Sequence, residues 1–183
     1  MSGGKNILDE FALKFSKIIE KYTEYIIVSG FVAISSGRTR ATEDIDMIIR
    51  PVSKETFNMI HEDLAKNNFE CIQSKYPGNI YGTYLSNFDS ARYIHKDKLL
   101  PEMELKFAKD ELDEYQLKTK TKLELTGLDL WFSNVNVNIA FKEHLLKSQK
   151  DIEDAKHLRI VYQELVSEDE IKKVKRLIDK CRI

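Results

Sequence analysis

The 183-residue sequence predicts an α/β (α+β) fold, a mixed β-sheet flanked by helices and followed by C-terminal helices. Three patterns predict it. Apolar side chains recur every three or four residues between residues 7 and 21, as in an amphipathic helix. Residues 25–28 and 45–49 are apolar runs, and residues 102–107 alternate apolar with charged side chains, as strands do. From about residue 134 the apolar spacing becomes helical again.

This change in pattern divides the chain into an α/β domain at residues 1–133 and a helical segment packed on it at residues 134–183. With 42% hydrophobic residues the chain can bury a substantial core. Its 29 basic and 30 acidic side chains nearly cancel, so no overall charge favours nucleic acid or an anionic membrane.

The cysteines and the absence of long apolar runs indicate the cellular compartment that we expect for the protein. Cys71 and Cys181 are far apart and lack metal-ligand spacing, which favours free thiols in a reducing compartment. No apolar run approaches the length of a membrane span, and residues 1–10 lack the features of a signal peptide. We therefore expect a cytoplasmic protein without membrane contact.

Local signals predict the remaining elements. Pro51 ends the second strand, and Ser53 is the expected N-cap of a helix to about residue 67. Residues 69–110 are predicted as β-structure and loops, with aromatic side chains that either cover the sheet or stack a nucleotide base. Alternating lysines at residues 118–122 indicate an extended basic edge, which either contacts phosphates or protects an edge strand. Residues 123–132 are predicted as two short strands about a glycine turn.

Two carboxylates in the second strand form the first candidate site. Asp44 and Asp46 are two residues apart, so on a strand their side chains point to the same side while Ile45 faces the core. Neighbouring carboxylates repel each other, and a divalent cation between them relieves the repulsion. Upstream, Ser29-Gly30 at a strand end can bring backbone N–H groups close to an anion. An ordinary strand with two solvated acids is the alternative.

These residues resemble the signature of the nucleotidyltransferase-fold superfamily, an apolar strand ending in Gly-Gly or Gly-Ser, a short helix, and a strand carrying Asp-x-Asp. Ser29-Gly30 and Asp44-Ile45-Asp46 match it, with Ser29 in place of the first glycine. The segment Gly37-Arg38-x-Arg40-x-Thr42-x-Asp44 is most similar to small bacterial and archaeal nucleotidyltransferases related to abortive-infection type IV toxins.

The resemblance implies a Mg²⁺ (or Mn²⁺) site that uses an NTP as substrate. The implied catalytic and metal-binding residues are Asp44, Asp46 and Glu104. The implied nucleotide-binding residues are Ser29, Gly30, Arg38, Arg40, Thr42 and Lys142. For the two arginines, salt bridges within a loop are an equally good explanation.

The third carboxylate is open between two residues. Members of the superfamily usually place it on a later strand of the sheet, and Glu104 is preferred because an apolar residue flanks it on each side. Glu102 is the alternative. A solvated strand face with a Glu–Lys pair would also explain both residues.

The C-terminal segment carries a second resemblance to the same enzymes, in a lysine followed by Lys150-Asp151-x-x-Asp154-Ala155. It implies that Lys142 reaches the nucleotide phosphates and that Lys150, Asp151 and Asp154 lie near the active cleft. The alternative is structural, since Asp151 in a first turn favours helix initiation and these residues could lock helices together.

The resemblance predicts a Mg-dependent nucleotidyltransferase that moves an NMP from an NTP to a hydroxyl of a protein, an RNA end or a small molecule. The similarity to toxin-type enzymes implies a toxin role and an antitoxin as a candidate partner. Two alternatives are a non-catalytic module that binds nucleotide or pairs with a toxin, and a metal-dependent phosphohydrolase. The sequence does not identify the acceptor, the NTP or the oligomeric state.

Overall fold

A five-stranded mixed sheet forms the centre of the protein. The computed structural model describes residues 5–42 and 44–182. The strands, in spatial order β1-β2-β5-β4-β3, are β1 (Tyr25–Val28), β2 (Asp44–Ile49), β3 (Phe69–Cys71), β4 (Ala91–His95) and β5 (Glu102–Phe107). β2 and β5 pair in parallel, and the other neighbours pair antiparallel. The predicted mixed α/β fold is confirmed.

Helices flank the sheet and follow it. They are α1 (Ile7–Ile19), α2 (Gly30–Ser35), α3 (Lys54–Lys66), α4 (Pro77–Asn79), α5 (Glu111–Lys118), α6 (Val135–Phe141), α7 (Gln149–Val161) and α8 (Glu168–Arg182). Side-chain caps fix several starts: the predicted cap Ser53 accepts a hydrogen bond from the Thr56 backbone N–H, and Asn134 caps α6 in the same way. None of these helices combines the length and apolar character needed to cross a bilayer.

One apolar cluster connects the sheet to flanking helices and to the C-terminal helices. It includes Phe15 of α1, Leu105 of β5, Val137 of α6 and Ile178 of α8. The C-terminal helices therefore share a core with the strands. The division at residue 133 stays a prediction.

The predicted extended segment at residues 118–122 is wrong. Lys118 ends α5, which begins at the N-cap Asp110, whose carboxylate accepts backbone hydrogen bonds from Leu112 and Asp113. Lys120 and Lys122 follow the helix and pair with Glu24 and Asp129. The alternate lysines arise from a helix end and a loop, so they form no strand edge.

Residues 69–132 contain more turns than the sequence indicated. A π-helical turn covers Ile80–Tyr84 and a 3-10 turn covers Leu85–Asn87. Residues 123–132 hold a 3-10 turn at Glu124–Thr126 and, within them, only an isolated bridge residue, Phe132, so the two predicted strands are wrong in this described segment. Gly127 has φ +65°, which ends that turn in a conformation that glycine adopts without strain.

Candidate active site

The acidic residues lie side by side on one face of β2 and β5. Because the strands run parallel, Asp44 is opposite Glu102, Asp46 is opposite Glu104, and Ile48 is opposite Lys106. The alternate residues of both strands are buried in the core. Parallel pairing therefore assembles a row of four carboxylates that ends in one lysine.

Asp46 and Glu104 converge on that lysine. The Lys106 Nζ lies 3.4 Å from Asp46 Oδ1 and 3.2 Å from Glu104 Oε2. Burial raises the pKa of Asp46 and repulsion from Glu104 adds to this, while Lys106 acts in the opposite direction. The pair is a partly desolvated anionic site that already attracts one cation.

Glu102 has a different partner. Its Oε1 lies 3.5 Å from Arg92 Nε, and burial raises its pKa against the attraction of Arg92. Glu102 is the strand neighbour of the exposed Asp44, whereas Glu104 is the neighbour of Asp46. Of the two candidates for the third carboxylate, only Glu104 shares a cation with Asp46 in the described structure.

The donor set suits a cation completed by substrate oxygens. Within residues 5–42 and 44–182 no three acidic, histidine or cysteine side chains come close enough to hold a metal ion. Asp46 and Glu104 nevertheless converge on the ammonium of Lys106. Mg²⁺ is commonly bound by one or two carboxylates together with substrate phosphates. The residues present fit that arrangement, and the three-carboxylate set with Asp44 stays a prediction.

The Ser29 turn faces the same space as Asp46. Ser29 has φ 67° and ψ −137°, a conformation that costs a non-glycine residue on the order of 1–3 kcal/mol. It is the N-cap position of α2, and both Ser29 and Asp46 line one cavity. The turn is therefore open to the cavity that Asp46 lines.

This cavity measures about 320 Å³. Its lining residues come from β1, β2 and β5 and from α5, α6, the π-helical turn Lys142–Leu146 and the end of α8. Its cationic lining residues are Lys106, Lys109, Lys142 and Arg182, and its apolar ones include Phe88, Phe107, Phe141 and Leu145. A site with a cationic side and an apolar side suits a ligand that has both phosphate and ring parts.

Lys142 connects the cavity to a buried ion network. It is almost fully buried, and its Nζ donates to Asp154 Oδ2 at 2.9 Å and lies 3.6 Å from Asp151 Oδ1. Arg40 binds Asp154 in a bidentate manner, with Nε to Oδ1 at 3.1 Å and Nη2 to Oδ2 at 2.9 Å. Burial opposes ionisation of Asp154, but Arg40 and Lys142 outweigh it and hold its pKa below the usual value.

The structure also locates the other predicted site residues. Arg38 contacts Glu153 and lies 3.5 Å from Asp154. Arg40 covers Gly30, and the Thr42 hydroxyl donates to the backbone oxygen of Asp44 at 3.2 Å. Among the described residues that line the cavity, Ser29, Asp46 and Lys142 come from the predicted set. The other predicted residues do not line it: Gly30, Arg38, Arg40, Thr42, Asp44 and Glu104. Lys150 is exposed.

No protein-family model matches this chain, and no curated protein matches it. Among the solved structures similar to it are two that match over most of both chains. One is an antigenic nucleotidyltransferase-like protein from Paracoccidioides brasiliensis, with 17% identity and a TM-score of 0.57 over 95% of this chain and 88% of that one. The other is the antibiotic-resistance factor ANT(2'')-Ia, with 12% identity and a TM-score of 0.53 over 94% of this chain and 93% of that one. The fold is nucleotidyltransferase-like. The similarity to abortive-infection toxins stays a prediction.

Several residues of this site were not predicted. Lys106 was placed on the acidic face by strand alternation, but its contact with Asp46 depends on the pairing of β2 with β5. Asn138 lines the cavity, and its Nδ2 donates to the backbone oxygens of Ser133 and Asn134. Arg182 donates to Asp113 at 2.9 Å and borders the same space. For Asn138 and Arg182 the sequence carries no local signal.

Proposed function

We propose that this protein is a nucleotidyltransferase that moves an NMP from an NTP to a hydroxyl acceptor. One observation carries the proposal: Ser29 and Asp46 line one cavity, and Asp46 and Glu104 both pair with the ammonium of Lys106, which lines the same cavity. The nucleotidyltransferase-like fold supports the same reaction class.

The cationic side of the cavity would bind the triphosphate. Lys142 and Lys106 both line it, and the Ser29 turn precedes the α2 backbone. Phosphate oxygens accept hydrogen bonds from ammonium groups and from free backbone N–H groups. Arg38 and Arg40 would act indirectly, without contacting the triphosphate, because Arg40 and Lys142 share the Asp154 carboxylate.

The carboxylates on β2 and β5 would hold the metal ion that assists reaction at the α-phosphate. Asp44, Asp46 and Glu104 would hold Mg²⁺ or Mn²⁺, which when bound neutralises triphosphate charge and aligns the attacking and leaving oxygens. Glu104 would also accept the proton of the acceptor hydroxyl. Raised by burial, the Asp46 pKa makes this carboxylate more basic than a solvated one.

The apolar side of the cavity would hold the base. Phe88 is 47% exposed, in a left-handed conformation with φ 61°, and Phe141 and Phe107 lie behind the same cavity. By contrast, Tyr81 packs on Phe57 and Phe107, and Tyr93 is fully buried. Of the aromatic row in residues 76–93, Phe88 is therefore the residue suited to stacking, and Tyr81 and Tyr93 cover the sheet.

The acceptor would be a protein, an RNA end or a small molecule with a free hydroxyl. A toxin role in the cytoplasm, restrained by an antitoxin, follows from the sequence resemblance and belongs to the same proposal. A non-catalytic nucleotide-binding module is the second candidate, and the ammonium of Lys106 between the two acids favours it.

Transfer of label tests the proposal. The protein is incubated with Mg²⁺, a cell extract and each NTP labelled at the α-phosphate. Label joined to an acceptor with release of pyrophosphate supports the proposed transfer, and label bound but never transferred supports the second candidate. Free labelled nucleoside monophosphate without an acceptor product would instead indicate hydrolysis.

Two variants connect transfer to the acid pair. Asp46→Asn is expected to remove transfer while the protein stays folded, because a neutral amide no longer attracts a cation. Asp129→Asn is the matched control, since its exposed carboxylate pairs only with Lys122 among the described contacts. Equal transfer by wild type and Asp46→Asn would contradict the proposed mechanism.

A further inference from the structure

Lys106 takes the position where the two carboxylates converge. Its ammonium is 3.2 Å from Glu104 and 3.4 Å from Asp46. It reaches them along its own strand face, two residues beyond Glu104 on β5. Any second cation held by the same pair of carboxylates would therefore meet this ammonium.

The charge of Lys106 opposes a metal ion. The two carboxylates carry two negative charges when ionised, and the ammonium compensates one of them. Like charges within a few ångströms repel strongly in a partly desolvated site. The nucleotide-free acid pair is thus a weak binding site for a divalent cation, although its oxygens are suitable ligands.

The lysine has another place to bind. Its side chain is only partly buried and lines the cavity, where Lys142 and Ser29 also lie. Triphosphate oxygens in this cavity would attract the ammonium, and its movement would free the space between Asp46 and Glu104. The flexible four-carbon stem of lysine allows such a change without movement of the strand.

We propose that Lys106 is a counter-cation that keeps Asp46 and Glu104 from binding a divalent metal until a triphosphate draws its ammonium into the cavity. This inference rests on the proposed function, because it names an NTP as the second ligand. Lys106 is then a positioning residue that couples the two ligands. Since coupling between binding sites is reciprocal, metal and triphosphate each strengthen the binding of the other.

Binding of Mn²⁺ to the nucleotide-free protein tests this directly, with electron paramagnetic resonance to count the free ion. Lys106→Met is expected to bind Mn²⁺ about tenfold more tightly than wild type, which corresponds to about 1.4 kcal/mol. Lys106→Arg keeps the charge and should bind as weakly as wild type. Adding Asp46→Asn to Lys106→Met should remove the gain, which assigns the ion to the acid pair.

Lys109→Met is the matched control. Lys109 lines the same cavity, and its side chain makes no ion pair with Asp46 or Glu104 among the described contacts. Its loss should change the Mn²⁺ affinity by less than about twofold, since a screened charge at longer range acts weakly. An equal gain in Lys109→Met would overturn the inference, because it would reflect net charge alone.

A second measurement uses a non-hydrolysable α,β-methylene NTP in EDTA. Lys106→Met should bind this analogue about fivefold more weakly than wild type, because one phosphate contact is lost. If folded Lys106→Met binds Mn²⁺ as wild type does, the counter-cation role of Lys106 is refuted. If the methionine variant loses its helical circular dichroism, the same measurement is made on Lys106→Gln. Neither measurement depends on turnover. An absence of transfer in the label assay therefore contradicts the proposed function without deciding whether Lys106 is a counter-cation.

Discussion

Arg40 lies so close to Gly30 that a Cβ atom on the glycine would come within 2.6 Å of the guanidinium Nη2. The same guanidinium binds Asp154 of α7 in a bidentate manner. A larger residue at position 30 would therefore have to shift the Arg40 side chain. The turn after β1, the loop before β2 and a C-terminal helix meet at one point.

Gly30→Ala should displace Arg40 and leave the buried Asp154 with one fewer cation. The guanidinium is the end of a flexible side chain and Lys142 still pairs with Asp154, so the free energy of unfolding should fall by about 1 kcal/mol. Urea denaturation measures it. Gly82→Ala is the control, because an added Cβ there meets nothing within 4 Å and should change stability little. Similar stability losses in the two variants would argue against the contact.

Ser29→Gly should stabilise the protein. The strained Ser29 backbone is relieved by glycine, and after the entropy cost of glycine in the unfolded chain the net gain should be about 1 kcal/mol. Ser29→Ala keeps the strain and should show no such gain. A Ser29→Gly protein that melts at or below the wild-type temperature would show that loss of the hydroxyl outweighs relief of the strain.

Asp154→Asn should lower stability at neutral pH by several kcal/mol, because three cations surround a buried carboxylate. The folded-state pKa of Asp154 is lowered. Its stabilisation is therefore present above the unfolded-state value of about 3.9 and is lost as the pH falls through the folded-state value. Urea denaturation between neutral pH and about pH 3 should show the two proteins converging in acid. A constant difference would indicate that the pKa of Asp154 is the same in the folded and unfolded states.

Phe88→Ala should weaken NTP binding without loss of stability, because the ring is half-exposed at the cavity. Stacking of a base on an aromatic ring contributes about 1–3 kcal/mol, so the dissociation constant should rise at least about fivefold. Calorimetric titration measures it. Leu99→Ala removes a highly exposed apolar side chain that does not line the cavity, and it should leave binding unchanged.

Local patterns predicted the elements whose signals are local. The cap at Ser53, the alternation in residues 102–107 and the helical spacing after residue 134 all depend on neighbours in sequence, and the structure has these elements. The lysines at residues 118–122 misled because alternate spacing also occurs where a helix ends. Asp110, which caps that helix, was the local signal that could have corrected it.

The site itself depends on pairs that are distant in sequence. Asp44 and Asp46 could be placed on one strand face, but the partner of Asp46 followed only from the parallel register of β2 with β5. Arg40 and Asp154 are separated by 114 positions, and no periodicity relates them. Sequence patterns therefore identified the types of residue in the site, and the topology determined which of them meet.

The shared core and the Arg40–Asp154 contact limit how this protein could be recombined with others of its fold. A chimaera that received only foreign C-terminal helices would keep Ser29 and Asp46 but lose Lys142 and the anchor of Arg40. The pocket would then keep the lining residues of the strands and lose those of the C-terminal helices. Exchange of sequence between such proteins should succeed only where the loop before β2 and helix α7 are inherited together.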